Sequence, residues 1–228
     1  MKKRNFYTEA AFAVGLLLLA TGTAFMAYGG FGISMVAAPA YVIHLKLSRT
    51  LPFFSFGATG YLIEALILLA MVVIIRRFNI TFLLSFATAV LYGLLLDGIS
   101  LFTGLLPENA LLIKLFLYPA GVVLCSAAIS LILLSYFPPA AHEMFVKEVS
   151  ASLSIPFSRL KILYDCTALA ISIGLSFLFF GTLRGIGIGT VICAFINGPM
   201  IRGFTALFKK HIIFRDAFRL RARFEERE

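Results

Sequence analysis

Six long apolar stretches dominate this chain, and each is near the length of roughly 20 residues that an α-helix needs to cross a bilayer. They lie near residues 8–28, 56–75, 80–105, 111–136, 158–180 and 184–208. Because 61% of the chain is hydrophobic, no stretch has the composition of a soluble domain. We therefore predict an all-α integral membrane protein of about six transmembrane helices. Its membrane domain covers residues 1–208, and a basic tail covers residues 209–228.

The two halves of the chain repeat each other with a period of about 100 residues. The recurring features are Pro39 and Pro139, Leu51-Pro52-Phe53 and Ile155-Pro156-Phe157, Glu64 and Asp165, and Asp97-Gly98 and Asn197-Gly198. The first repeat covers about 8–105 and the second about 111–208. Each half holds three spans, an odd number, so the second half should be inverted relative to the first. Inverted repeats of this kind are typical of transporters.

The formal net charge of +9 is distributed unevenly along the chain. Most basic residues lie at residues 2–4, at 76–77, between the fourth and fifth spans, and in the tail. The positive-inside rule therefore predicts cytoplasmic termini, as an even number of spans also requires. The tail should bind anionic lipid, and no pattern typical of a nucleic-acid surface is present.

Three further segments look structured. Residues 33–47 and 138–153 occupy equivalent places in the two halves and are too short to span, so each is either a re-entrant segment or an interfacial helix. The tail from Lys209 alternates basic and apolar residues, which predicts an amphipathic helix on the inner leaflet. A surface for docking a partner is the alternative reading of the tail.

Ionisable residues inside a membrane are costly and are candidates for function. Glu64 lies within the second span and Asp165 near the start of the fifth, so an inverted repeat would bring them to one central site. Asp165 could instead be an interfacial partner of Arg159 or Lys161. Glu64 has no basic residue within one helical turn, so a distant partner, a proton or a cation must stabilise it.

Asp97 and Asn197 each precede a glycine, and Pro199 follows the second pair. Glycine and proline weaken a helix and can free carbonyl groups for a ligand, so we predict discontinuous helices at a substrate or ion site. The structural alternatives are that Asp97 ends the third span and that Asn197 caps a kink.

Arg184 precedes Gly185, Gly187 and Gly189 at the start of the sixth span. Backbone N–H groups and the guanidinium could bind an anion there, but glycines in a span more often allow close helix packing. The three histidines and three cysteines show no metal-binding spacing. No nucleophile motif occurs, so we expect no cofactor, no metal and no enzymatic activity.

Several stretches carry a resemblance to a known family. They are residues 29–47 with Ala38-Pro39-Ala40-Tyr41-Val42-Ile43, then Leu51-Pro52-Phe53, Leu163-Tyr164-Asp165, and residues 183–190 continuing to Asn197-Gly198-Pro199. On these residues the chain resembles the YczE/YitT-like bacterial membrane proteins, which are largely uncharacterised. The resemblance implies a multi-pass protein of the bacterial cytoplasmic (inner) membrane and a repeated multi-span fold. It implies no activity and no site residue.

The leading functional hypothesis is a small secondary transporter, or a substrate-binding membrane subunit, for a small polar or cationic solute. Its site would lie between the repeats and use Glu64, Asp165, Asn197, Asp97 and Arg184. The alternative is a non-transporting scaffold or regulator that recruits partners through its tail. Either reading is compatible with an oligomer or a partner subunit.

Overall fold

The computed structural model describes residues 4–51, 53–107 and 110–216. Pro52 of the repeated motif, residues 1–3 and tail residues 217–228 lie outside the described residues. Eight helices and two short strands make up the described part: β1 Arg4–Tyr7, α1 Thr8–Gly29, α2 Ala38–Leu47, α3 Phe56–Ile75, α4 Ile80–Thr103, α5 Leu111–Leu133, α6 Ala141–Leu153, α7 Phe157–Phe180, α8 Ile188–His211 and β2 Ile212–Arg215. Six of these helices, all except α2 and α6, are long and apolar enough to span a membrane. This confirms the all-α membrane fold.

The two chain ends meet on one face of the helix bundle. Strand β1 pairs in parallel with β2, and Phe6 contacts Phe214 edge to face. We call this the terminal face, and the other end of the bundle the opposite face. The predicted amphipathic helix is wrong for residues 212–215, which form a strand because β1 supplies a hydrogen-bonding partner. Helix α8 also continues past residue 208 to His211.

The first helices of the two halves, α1 and α5, pack together in antiparallel orientation. Gly22 of α1 lies against Gly121 of α5, and Gly29 near the end of α1 lies against Tyr118 near the start of α5. A Cβ on Gly22 would come within 2.7 Å of the Gly121 carbonyl oxygen. The glycines thus let the two backbones approach closely, as in other membrane helix pairs. The antiparallel pairing agrees with the predicted inversion of the second half.

The short helices α2 and α6 both enter the interior of the bundle, which favours the re-entrant alternative for these segments. Helix α2 ends with Lys46, whose Nζ lies 6.0 Å from the ring centre of Phe179 at the opposite face. Its preceding residues, 33–37, reach the interior of the bundle. Helix α6 begins in the interior, where His142 contacts Glu64, and runs back to the terminal face at Leu153. The N-termini of α2 and α6 therefore both lie in the interior of the bundle.

The two halves differ in how tightly their last two helices pack. In the first half α3 and α4 lie in close contact, with Gly57 against Gly93. In the second half α8 packs on α5, and α7 packs on α2 and α6. Within the described residues α7 and α8 make no extended contact with each other. The second half is therefore more open than the first.

Candidate functional site

A cavity of about 420 Å³ lies between the two halves at the point where α2 and α6 begin. All eight helices or the segments beside them contribute to its wall. The polar side chains in the wall are Thr23, Ser34, Glu64, Thr88, Tyr92, His142, Glu143, Lys161, Asp165 and Asn197. The rest of the wall is largely apolar. Three of the five predicted site residues thus meet in one cavity: Glu64, Asp165 and Asn197.

Glu64 finds its partner on the re-entrant helix α6. Its Oε1 lies 2.9 Å from Nδ1 of His142, and the two side chains are only 18% and 20% exposed. Burial by itself disfavours the charged imidazolium, but the neighbouring Glu64 carboxylate outweighs it, so the pKa of His142 lies above its ordinary value.

Asp165 lies across the cavity from Glu64, on α7. Its Oδ1 is 3.0 Å from Nζ of Lys161, one helical turn earlier. This ion pair is the interfacial alternative predicted for Asp165, and both of its members also line the cavity. The ion pair and the cavity position are therefore compatible.

Asn197 lies near the middle of α8, and the helix does not break there. Helix α8 runs unbroken from Ile188 to His211 with Pro199 inside it. The predicted discontinuity at Asn197-Gly198-Pro199 is therefore wrong, and so is the one at Asp97-Gly98, where α4 continues to Thr103. In a membrane the backbone has no water to bond with, so helix continuity is favoured even through glycine and proline.

Three buried oxygen atoms of the cavity residues lack a hydrogen bond. Within the described part of the chain, Glu64 Oε2, Asp165 Oδ1 and Asn197 Oδ1 have no hydrogen-bond partner, although Asp165 Oδ1 keeps its ion pair. Buried polar atoms are normally satisfied, so each unsatisfied one requires an explanation. All three are hydrogen-bond acceptors, and all belong to residues that line the same cavity.

Asp97 lies outside this cavity and holds the start of α3. Its Oδ1 accepts a 2.7 Å hydrogen bond from the backbone N–H of Gly57, and its Oδ2 accepts one from the Ser55 hydroxyl. Ser55 itself caps α3 through the N–H of Ala58. A carboxylate at a helix N-terminus is stabilised by the helix dipole. Asp97 therefore differs in position and contacts from Asn197, its counterpart in the sequence repeat.

Arg184 also lies away from the central cavity. It is exposed at the opposite face, where its guanidinium lies 5.2 Å from the ring centre of Phe180. The following glycines serve packing: Gly189 donates its N–H to the carbonyl of Phe31 at 2.9 Å, and Gly185 lies against Tyr41. The Gly189 N–H is thus used within the protein, which favours the packing alternative over an anion site.

A second cavity, of about 450 Å³, lies toward the opposite face. Its wall includes Asp97, His44, Tyr28 and Tyr41. The buried ring of Phe56 lines both this cavity and the central one. Phe56 therefore lies between the central cavity and the second cavity.

Sequence reasoning missed His142 as a site residue. The sequence leaves a distant partner, a proton or a cation open for Glu64, and the observed pairing spans 78 positions and depends on α6 entering the bundle. The available signal was the position of His142 just after Pro138-Pro139, at the start of a segment repeated in both halves. Over residues 4–51, 53–107 and 110–216, no cluster of three or more metal-binding side chains occurs.

Comparison with known proteins yields a family without an assigned activity. A family model described as a family of unknown function (DUF6198) matches residues 6–206. No curated protein and no solved structure matches the chain.

Proposed function

The chain belongs to this family of unknown function, and we propose that it is a small secondary transporter, or a substrate-binding membrane subunit, for a small polar or cationic solute. The solute binds in the central cavity between the two repeats. The resemblance to YczE/YitT-like proteins supports a bacterial inner membrane, and the distribution of basic residues supports cytoplasmic termini.

The observation that carries this proposal is a set of buried oxygen atoms in the cavity wall. Glu64 Oε2 and Asn197 Oδ1 have no hydrogen-bond partner among the described residues, and Asp165 Oδ1 is held only by its ion pair with Lys161. The three atoms come from three different helices of both repeats. A ligand that supplies hydrogen-bond donors or positive charge would satisfy them together. Transporters commonly place their sites at such a repeat interface, beside helices that end within the membrane. The volume of about 420 Å³ is at the small end of the usual range for small-molecule sites.

The charge around the cavity favours a cation over an anion. The N-termini of α2 and α6 each carry roughly half a positive charge and would by themselves attract an anion. Three carboxylates line the same cavity, from Glu64, Glu143 and Asp165, and Lys161 supplies the fixed positive side chain. With His142 neutral, the acidic groups therefore outweigh Lys161 and the two helix ends.

The test is thermal unfolding of the purified protein with a panel of small solutes at millimolar concentration. The panel contains guanidinium, tetramethylammonium, choline, sodium, potassium, urea and acetate. A ligand of the folded state raises Tm by mass action, equivalent to about 2.7 kcal/mol at 100 times its Kd. We expect at least one cation or urea to raise Tm, and acetate to have no effect.

The variants Glu64→Gln and Asn197→Ala should abolish the increase in Tm, and Arg184→Gln should retain it as a control outside the cavity. No increase with any cation or with urea would contradict the proposal. An increase that persists in both cavity variants would place the site elsewhere.

A further inference from the structure

The pairing of His142 with Glu64 in the central cavity has a consequence for what else this site binds. We propose that a proton on His142 and a cation beside Glu64 exclude each other, so that the protein exchanges one proton for one cation. This inference rests on the proposed function, and it names the second ion of the same site.

Geometry provides the first argument. Oε1 of Glu64 is 2.9 Å from Nδ1 of His142, and Oε2 of the same carboxylate has no hydrogen-bond partner among the described residues. A cation seated at Oε2 would therefore lie within a few ångströms of the imidazole ring. At that separation a positive charge on the ring repels the cation strongly, because the site is shielded from bulk water.

The charge of the cavity provides the second argument. Glu64 from α3, Glu143 on α6 itself and Lys161 from α7 interact electrostatically with His142. The other titratable groups on the elements around it are Tyr92 from α4 and Asp165 from α7, which line the same cavity, and Tyr164 from α7, which contacts Phe145 of α6. Three are carboxylates. When His142 is protonated, Lys161 and the imidazolium each supply one positive charge. The two helix N-termini add roughly half a charge each. Together these positive charges balance the three carboxylates. With His142 neutral, the positive groups fall short by one charge, which is the charge of a monovalent cation.

The exchange step is a simple proton transfer. The imidazolium N–H bond of His142 breaks, its electron pair stays on nitrogen, and the proton passes to water in the cavity. The cation then neutralises the charge of Glu64 that the imidazolium had neutralised. In the reverse step a proton returns to the ring and the cation leaves. The re-entrant position of α6 makes this possible, because it carries a histidine from the terminal face into the centre of the bundle.

The experiment has two readouts on the full chain in detergent. The first is the ¹⁵N spectrum of the histidine rings between pH 5 and 8.5, with the His142 signal assigned by its absence in His142→Gln. We expect the His142 ring to lose its proton at a higher pH than an ordinary imidazole, and at a lower midpoint in Glu64→Gln. The inference is overturned if the His142 ring stays neutral down to pH 5, or if Glu64→Gln leaves the midpoint of its titration unchanged. This holds whether or not a solute binds.

The second readout is proton release in weakly buffered solution when guanidinium, tetramethylammonium, choline, sodium or potassium is added. None of these five cations carries a proton that it would lose at this pH. We expect about one proton per cation bound, no release in His142→Gln, and unchanged release in the control His44→Gln. Binding without proton release overturns the exchange but leaves the proposed function intact. If none of the five cations binds, the exchange fails, and the proposed function fails with it unless urea raises Tm.

Discussion

The two halves of this protein share an order of elements but differ in how their second and third spans meet. In the first half, Gly57 of α3 lies against Gly93 of α4, and Asp97 accepts a hydrogen bond from the Gly57 N–H at the start of α3. In the second half the corresponding positions of the repeat are Ser158 and Cys193, and the Asn197 side-chain oxygen has no hydrogen-bond partner among the described residues. The comparison indicates that the first half is closely packed at this point and that the central cavity opens where the second half lacks this contact.

The largest effect should come from disrupting the close contact of the first half. In Gly57→Ala the new Cβ would lie 2.6 Å from the backbone carbon of Gly93 and 2.8 Å from Cγ of Asp97. Because backbone cannot move aside cheaply, we expect a loss of about 3 kcal/mol in stability, measured by denaturation in detergent. The matched control is Gly174→Ala on α7, where a Cβ meets nothing within 4 Å. Equal losses in the two variants would contradict the contrast between the halves.

The pair Asp97→Ala and Asn197→Ala separates stability from binding. Removing the Asp97 carboxylate leaves the Gly57 N–H without its partner, which should cost about 1–3 kcal/mol. Asn197 Oδ1 makes no hydrogen bond within the described residues, so its removal should leave the unfolding free energy almost unchanged. Ligand-dependent Tm shifts should show the reverse order, with the response lost only in Asn197→Ala. A destabilised Asn197→Ala that still binds would reverse our assignment of the two positions.

The stability contributed by the His142–Glu64 pair should depend on pH in a defined direction. The folded protein holds the pKa of His142 above its ordinary value of about 6.5, so folding favours the protonated ring. The stabilisation is fully present below the ordinary pKa and is lost as pH rises through the raised value. The Tm difference between wild type and His142→Gln should therefore be largest near pH 5.5 and shrink toward pH 8.5. A difference that grows with pH would show that the neutral ring is the favoured form.

Phe56 should control access between the two cavities. Its ring is 6% exposed and lines both compartments. The test uses a background in which Cys166→Ser and Cys125→Ser leave Cys193 as the remaining thiol. In this background, Phe56→Ala should let a charged thiol reagent modify the buried Cys193 several-fold faster than when Phe56 is intact. The control is Phe53→Ala, because Phe53 is 70% exposed and lines neither cavity. Equal rates in the two variants would mean that Phe56 does not separate the compartments.

Much of this architecture could be predicted from sequence, because a bilayer dictates both the length and the apolar character of each span. The repeat placed Glu64 and Asp165 on equivalent helices, and both line the central cavity. The pattern of glycine and proline does not predict that α8 continues through Pro199. An interrupted helix would leave backbone N–H and C=O groups without hydrogen bonds in lipid, and this free-energy cost keeps the helix continuous. The His142–Glu64 contact was missed because the depth of α6 depends on packing against α3 and α7, which a one-dimensional hydrophobic pattern does not encode.

The most direct test of the central claim is isothermal titration calorimetry of the purified protein with guanidinium, tetramethylammonium, choline, sodium and potassium. At least one of these cations should bind the wild-type protein. Binding should be absent in Glu64→Gln and retained in Arg184→Gln. The absence of binding with every cation, or binding unaffected by Glu64→Gln, would contradict a cation site between the two repeats.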